Sequence, residues 1–309
     1  MTNYDNKRGW LYFQVTVAVL VWGGAYPFTK RLVAELSPLS IVAFRAFAGA
    51  LLLLLLSRSR FSLKDFTPTV LWKLLVMSAL GVSTQQFMQS YALQYTQASH
   101  AGWLIAATPI LVAALMAALG ERIGPLKITA FLLGAAGALL VVFSKGGAGA
   151  FSLPSTRADL LLLFTCLTWA LYVLCAKKWL TSWPSAKVTT ATMLMALVSV
   201  LPPWLASGGP AEFAAVSPAG WVSLAYLGVL SSALGYLFWN NAVDGLGAVQ
   251  TSYFIYLEPF STLVSAYFLL GEKANSAAVA GGLLIILGSY LVNQKAGRGR
   301  ALKGAPTSA

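Results

Sequence analysis

Apolar residues come in runs of about twenty along almost the whole chain, separated by short clusters of Lys, Arg, Asp, Gly and Pro. A twenty-residue helix is about 30 Å long, the thickness of a bilayer's hydrocarbon core. The pattern predicts an all-α integral membrane protein. Its ten spans lie near 11–30, 38–57, 71–93, 98–119, 125–143, 158–176, 187–206, 219–242, 247–270 and 275–293. The first run is interrupted by Gly23, Gly24 and Pro27, and no small-residue cleavage site follows it, so a retained helix is expected there. The third and fourth spans, and the eighth and ninth, are joined by very short turns and should form tight hairpins.

The pattern also repeats. Leu80-Gly81-Val82 matches Leu227-Gly228-Val229 at an offset of 147. Ala92 matches Ala242 and Pro109 matches Pro259, both at 150, and Gly120-Glu121-Arg122 matches Gly271-Glu272-Lys273 at 151. So small a drift over some forty residues indicates an old duplication. It divides the chain into a first five-helix repeat over 10–143, a Gly-, Ser- and Pro-rich loop over 144–157, a second repeat over 158–293 and a basic tail over 294–309.

Composition agrees with the membrane reading. The chain of 309 residues is 58% hydrophobic and 10% charged, with a mean hydropathy of +0.73; soluble domains carry about 25% charged residues. The net charge of +12 would suggest nucleic acid in a soluble protein, but its distribution argues otherwise. With the N-terminus in the cytoplasm, fifteen basic residues fall in cytoplasmic segments and five (Lys30, Arg31, Lys145, Arg157, Lys273) on the opposite side, while Arg45 lies inside the second span. Cytoplasmic loops are enriched in Lys and Arg, so both termini are expected inside. An odd number of spans per half then turns the second half upside down, the inverted repeat by which secondary transporters build alternating access around a midplane site. Cys166 and Cys175, nine apart in one apolar run, suggest neither a disulfide nor a metal site. No cofactor is expected.

Candidate site residues come from comparing equivalent positions. His100 answers Gln250 and Trp103 answers Tyr253, a polar residue and an aromatic three apart on one helix face. Trp22 answers Trp169, with Tyr26 and Tyr172 following one turn later. Gln85 and Gln89 form a stripe with Ser78 on the third span, and Trp239 and Asn240 follow Ser232 on the eighth. Polar side chains within the bilayer should face the bundle interior or water. For Trp and Tyr the competing role is the interfacial belt, which suits Trp10, Tyr12, Trp72, Trp183, Trp204 and Trp221 at span ends; for the glutamines it is interhelical hydrogen bonding. Glu258 falls at the middle of its span and Arg45 about 10 Å deep in its own. Glu258 is expected to be neutral there and to hold, by a hydrogen bond, the helix that Pro259 weakens, with proton coupling or attraction of a cationic solute as the alternative roles; its counterpart is Thr108. Arg45 is expected to be structural. The fifth and tenth spans carry small residues (Ala130, Gly134, Gly137; Ala277, Gly281, Gly288) at close-packing spacings and read as peripheral scaffold.

No nucleophile–base motif, zincin or phosphate-binding loop can be assembled, and one histidine serves the whole chain. Rings or filters of the channel kind are missing as well. The chain instead resembles the EamA-type members of the drug/metabolite transporter superfamily over about residues 10–293. The resemblance rests on Trp22 after an apolar start, Arg45 within Phe44-Arg45-Ala46, Pro109 ahead of Gly120-Glu121-Arg122, and the motifs WNNA, YLEP and LLGEK of 227–273. Within that superfamily it is most similar to the YddG-type bacterial exporters of aromatic and other neutral amino acids. The resemblance implies a multi-pass exporter of the bacterial inner membrane with a central cavity between inverted repeats. Its partners would be the lipid bilayer and a small-molecule substrate, an amino acid or similar metabolite, with no nucleic acid, and a monomer would suffice. A midplane of Trp, Tyr, Gln and Asn suits a small amphiphile with neutral or zwitterionic polar groups. Cationic metabolites or drugs drawn by Glu258 are the alternative, and a membrane-embedded enzyme or receptor a more distant one.

Overall fold

The apolar runs fold as helices, and no strand forms among the residues described by the computed structural model, which are 2–57, 61–120, 124–143, 157–179 and 181–272 with single helical positions between 276 and 287. The inter-repeat loop over 144–156, the basic tail, Ala277, Gly288 and most of the tenth predicted span lie outside them. The helices of the first half are α1 (Thr2–Leu32), α2 (Pro38–Ser57), α3 (Pro68–Gly81), α4 (Ser83–Leu93), α5 (Ala98–Ile105), α6 (Thr108–Ala118) and α7 (Pro125–Phe143). Those of the second half are α8 (Arg157–Lys178), α9 (Ser185–Ala206), the short α10 (Gly209–Glu212), α11 (Pro218–Ala225), α12 (Tyr236–Leu246), α13 (Ala248–Ser252) and α14 (Glu258–Leu270). Seven helical stretches among the described residues are long and apolar enough to cross a bilayer. The predicted third span is split between α3 and α4 at Val82.

Equivalent positions start equivalent helices. Thr67 caps α3 by accepting from the Val70 amide (3.4 Å), and Ser217 caps α11 by accepting from the Gly220 amide (3.0 Å). Each cap is followed by proline, whose missing N–H costs nothing in a first turn. The outer surface carries large apolar side chains such as Leu55, Leu132, Leu160, Val198 and Phe268, whereas serines, threonines and glutamines are buried inside. That inversion of the soluble pattern is what a lipid solvent requires.

Helices in the two halves choose corresponding partners. α1 packs on α14 as α8 packs on α6; α2 packs on the segment before α12 as α9 packs on α3; and α2 and α9, themselves equivalent, pack on each other. The halves are therefore related by a pseudo-two-fold axis. Polar contacts at the two ends of the bundle fix the sense. At one end Gln250 donates to the Tyr12 hydroxyl (2.6 Å), Ser185 to Asn241 (2.7 Å) and Lys187 to Asp65 (2.8 Å). At the other, Lys30 donates to the Leu93 carbonyl (2.7 Å), the Ser217 amide to Glu35 (2.8 Å), and the Ala98 and Ser99 amides to Glu272 (3.1 and 3.0 Å). The C-terminus of α8 leads into Trp183 and Ser185 at the end where α1 begins, so α8 runs opposite to its counterpart α1. The repeat is inverted.

Four spans lose regular α-geometry near their middles, in two equivalent pairs. Val82 (φ −129°, ψ −77°) interrupts the third, and a π-helix over Tyr226–Gly235 widens the eighth. Ala106 and Ala107 separate α5 from α6, and a 3-10 turn over Tyr253–Leu257 separates α13 from α14. Pro109 and Pro259 stand at the starts of α6 and α14, where a proline begins a new helix more readily than it continues one. Irregular backbone at membrane depth is tolerated where protein buries it or where it borders a cavity.

Candidate functional site

The four irregular segments meet around one cavity. It is lined by Trp22, Ala25 and Tyr26 of α1, Arg45 of α2, Gln85, Gln86 and Gln89 of α4, and Ile105 and Thr108 at the first half's break. From the second half come Thr165 and Trp169 of α8, Ser231 and Tyr236 at the π-helix, and Ile255 and Glu258 at the other break. Two pairs of lining residues place it on the pseudo-two-fold axis. Trp22 and Trp169 touch edge to face, 5.0 Å between centroids, and the Gln86 amide donates to the Tyr236 hydroxyl at 3.0 Å. Members of each pair are equivalent by the duplication, and equivalent residues can touch only where the axis runs.

Rings floor the cavity. Trp22, Trp169, Tyr172, Tyr236 and Trp239 form one cluster with centroids 5.0 to 6.3 Å apart, mostly tilted or edge to face, the arrangements that aromatic quadrupoles favour. Hydrogen bonds fix the rings. The Trp22 indole N–H donates to the Ser231 carbonyl within the π-helix (2.9 Å), and the Tyr236 hydroxyl donates to the Gly81 carbonyl beside the Val82 break. The Tyr172 hydroxyl donates to Asn240 Oδ1 (3.1 Å), whose amide donates to Thr189 (2.8 Å). Above the floor the Gln89 amide donates to the Tyr26 hydroxyl (2.8 Å). Beyond it lies a second cavity of about 180 Å³, bordered by Lys177, Trp183, Ser185, Asn240 and Asp244 at the end of the bundle where α1 begins. The central cavity holds only about 50 Å³, room for a few waters at roughly 10–15 Å³ each.

Of the residues singled out by sequence, Trp22, Tyr26, Gln85, Gln89, Trp169 and Glu258 border this cavity. Tyr172 and Trp239 lie in its floor, and Asn240 borders the second cavity. His100, Trp103, Gln250 and Tyr253 border neither: Trp103 packs edge-on to Phe260 (5.9 Å) and Gln250 is bonded to Tyr12, while His100 and Tyr253 are buried. The expected hydrogen bond from Glu258 to the weakened helix is not made. Thr262 holds that backbone instead, its hydroxyl within 2.9 Å of both the Gly23 and the Glu258 carbonyls. Gly23 permits the approach, since a Cβ there would lie 2.5 Å from the Glu258 carbonyl oxygen. Gln86, Ser231 and Tyr236 were not among the sequence candidates. A signal existed for two of them: Tyr236 lies three residues ahead of Trp239, and Gln86 lies three ahead of Gln89 on the same face of α4.

The EamA-like transporter family model matches the chain twice, over residues 9–143 and 156–294. An uncharacterized transporter of Archaeoglobus fulgidus is 28% identical over 283 residues, covering 91% of this chain and 96% of the relative. A probable terminal-alkyne amino-acid exporter of Streptantibioticus cattleyicolor is 30% identical over 220 residues, covering 70% of this chain and 71% of its own. A solved crystal structure superposes with a TM-score of 0.72 over 93% of this chain and 98% of the other at 17% identity, a likeness of fold.

Proposed function

Since the chain belongs to the EamA-like transporter family of the drug/metabolite transporter superfamily, a multi-pass membrane family, we propose that it is a secondary transporter that exports small amphiphilic solutes, chiefly aromatic and other neutral amino acids. One observation carries the substrate reading: the cavity on the pseudo-two-fold axis is walled by indole and phenol rings and by three glutamines. Rings offer stacking surface to an apolar body, and amides offer both donors and acceptors to its polar end. The amino-acid exporter among the relatives supports the same direction. Export would proceed across the bacterial inner membrane, with both termini cytoplasmic, as the two inverted halves rock about the axis. A cavity of about 50 Å³ is far below the roughly 300 Å³ at which small-molecule pockets begin, so the ring floor must part to admit the solute.

Counterflow of labelled tryptophan into proteoliposomes tests this reading. Unlabelled phenylalanine, tryptophan and threonine should compete, the first two more strongly. If lipophilic cations compete while none of the amino acids does, the cationic-metabolite reading through Glu258 replaces it.

A further inference from the structure

The central cavity is lined by one basic and one acidic side chain, Arg45 and Glu258, and neither is ion-paired among the described residues. Arg45 is 3% exposed. Its Nε donates to the Ser232 hydroxyl and its Nη2 to the Ser231 hydroxyl, both at 3.1 Å, and its Nη1 is buried with no acceptor. The role of a strut between α2 and the π-helix explains the first two nitrogens and leaves the third unexplained. Glu258 is 4% exposed and enters the same cavity from the first position of α14. Among the described residues its carboxyl group takes part in no hydrogen bond or ion pair, so it does not pair with Arg45 either. The helix dipole favours a carboxylate at that position but supplies only a fraction of a charge.

The two groups address one small space. Both line the one cavity of about 50 Å³, together with Tyr26 and Tyr236. A desolvated charge is costly unless an opposite charge or a full set of hydrogen bonds meets it. A solute with one charge would satisfy one group and be repelled by the other. A solute carrying both satisfies both.

Deepening the exporter reading, on which it rests, we infer that Arg45 and Glu258 bind the two ends of a zwitterionic α-amino acid, its carboxylate on the open Nη1 edge of Arg45 and its ammonium on the Glu258 carboxylate. The rings and glutamines then receive the side chain. Selection by this pair acts on the backbone of the amino acid, so it tolerates varied side chains and rejects the corresponding amines and acids.

The test is counterflow of labelled tryptophan in proteoliposomes, with tryptophan, tryptamine (no carboxylate) and indole-3-propionate (no ammonium) as competitors. For the unaltered chain, tryptophan should half-inhibit at a concentration at least about tenfold below either analogue, the worth of one lost charge-assisted hydrogen bond. Arg45→Gln should close the gap between tryptophan and tryptamine, and Glu258→Gln the gap between tryptophan and indole-3-propionate. Equal inhibition by all three on the unaltered chain overturns the inference, and that arm decides even where a variant fails to fold. A folded variant that weakens all three competitors by the same factor also overturns it, since a structural role has that signature. No amino-acid counterflow by the unaltered chain would instead remove the exporter reading and the inference with it.

Discussion

Trp22 ties the ring cluster to the π-helix. Its ring meets Trp169, Tyr236 and Trp239, and its N–H holds the Ser231 carbonyl. Trp103 is equally buried but packs on Phe260 away from both cavities. Truncating either buried indole should cost on the order of 3–5 kcal/mol of stability, so thermal melting alone will not separate them. Substrate preference will. Trp22→Ala should reduce the advantage of tryptophan over threonine in counterflow by roughly two- to tenfold, the worth of one aromatic contact. Trp103→Ala should leave that ratio unchanged while lowering the amount of folded protein. Equal ratios for the two variants would detach the ring cluster from the solute path. The difference between them could not be read from the chain, where each is an aromatic residue answered by another aromatic in the second half.

At the scale of elements, the halves are tied at both ends by contacts that must break if they rock. The half-buried pair between Asp65, on the short 3-10 turn ahead of α3, and Lys187, in the first turn of α9, is one. The Lys187 ammonium also lies 4.6 Å from the Trp183 ring centroid, a cation–π contact. Its hydrogen bond to Asp65, helped by the Ser62 amide, holds the Asp65 carboxyl below the usual carboxylate range. A lowered acid pKa means that the carboxylate's contribution is fully present above the unfolded value, about 3.9, and is lost as pH falls through the lowered folded value. Asp65→Asn should therefore reduce thermal stability slightly at pH 7, and the difference from the unaltered chain should begin to shrink below about pH 4 and vanish only once pH has fallen past the lowered folded value. A difference that persists unchanged at pH 3 would show that the tie does not depend on the charge. Solvent screening keeps this contribution small.

For the whole molecule, the inverted repeat makes a topological prediction. Ser62, beside Asp65, and Ser207, at the end of α9, are both exposed and lie at opposite ends of the bundle. The distribution of basic residues assigns the Ser62 end to the cytoplasm. In a background with Cys166 and Cys175 replaced, Ser207→Cys should react with an impermeant thiol reagent added outside intact cells. Ser62→Cys should react only after the membrane is opened. The reverse result would turn the molecule over in the membrane.

Sequence alone dictated that the apolar runs are helical and in what order they follow, because a run of some twenty apolar residues has one economical solution in lipid. It also determined the pairing of the halves, since Pro109 and Pro259, or Trp22 and Trp169, keep their spacing whatever the chain does in space. Caps such as Thr67-Pro68 and Ser217-Pro218 are local chemistry and equally legible. The tertiary structure alone decided where helices lose their regular turn. The break at Val82 and the π-helix over Tyr226–Gly235 change the angular phase of everything beyond them relative to what comes before. It decided too that Arg45 meets two serines and not an acid, and that Thr262, not the Glu258 side chain, steadies the backbone at Pro259. These are contacts between residues up to 239 positions apart. Their geometry depends on the closeness of two helices at Gly23 and on the axis between two halves, quantities that no local pattern of polar and apolar residues encodes.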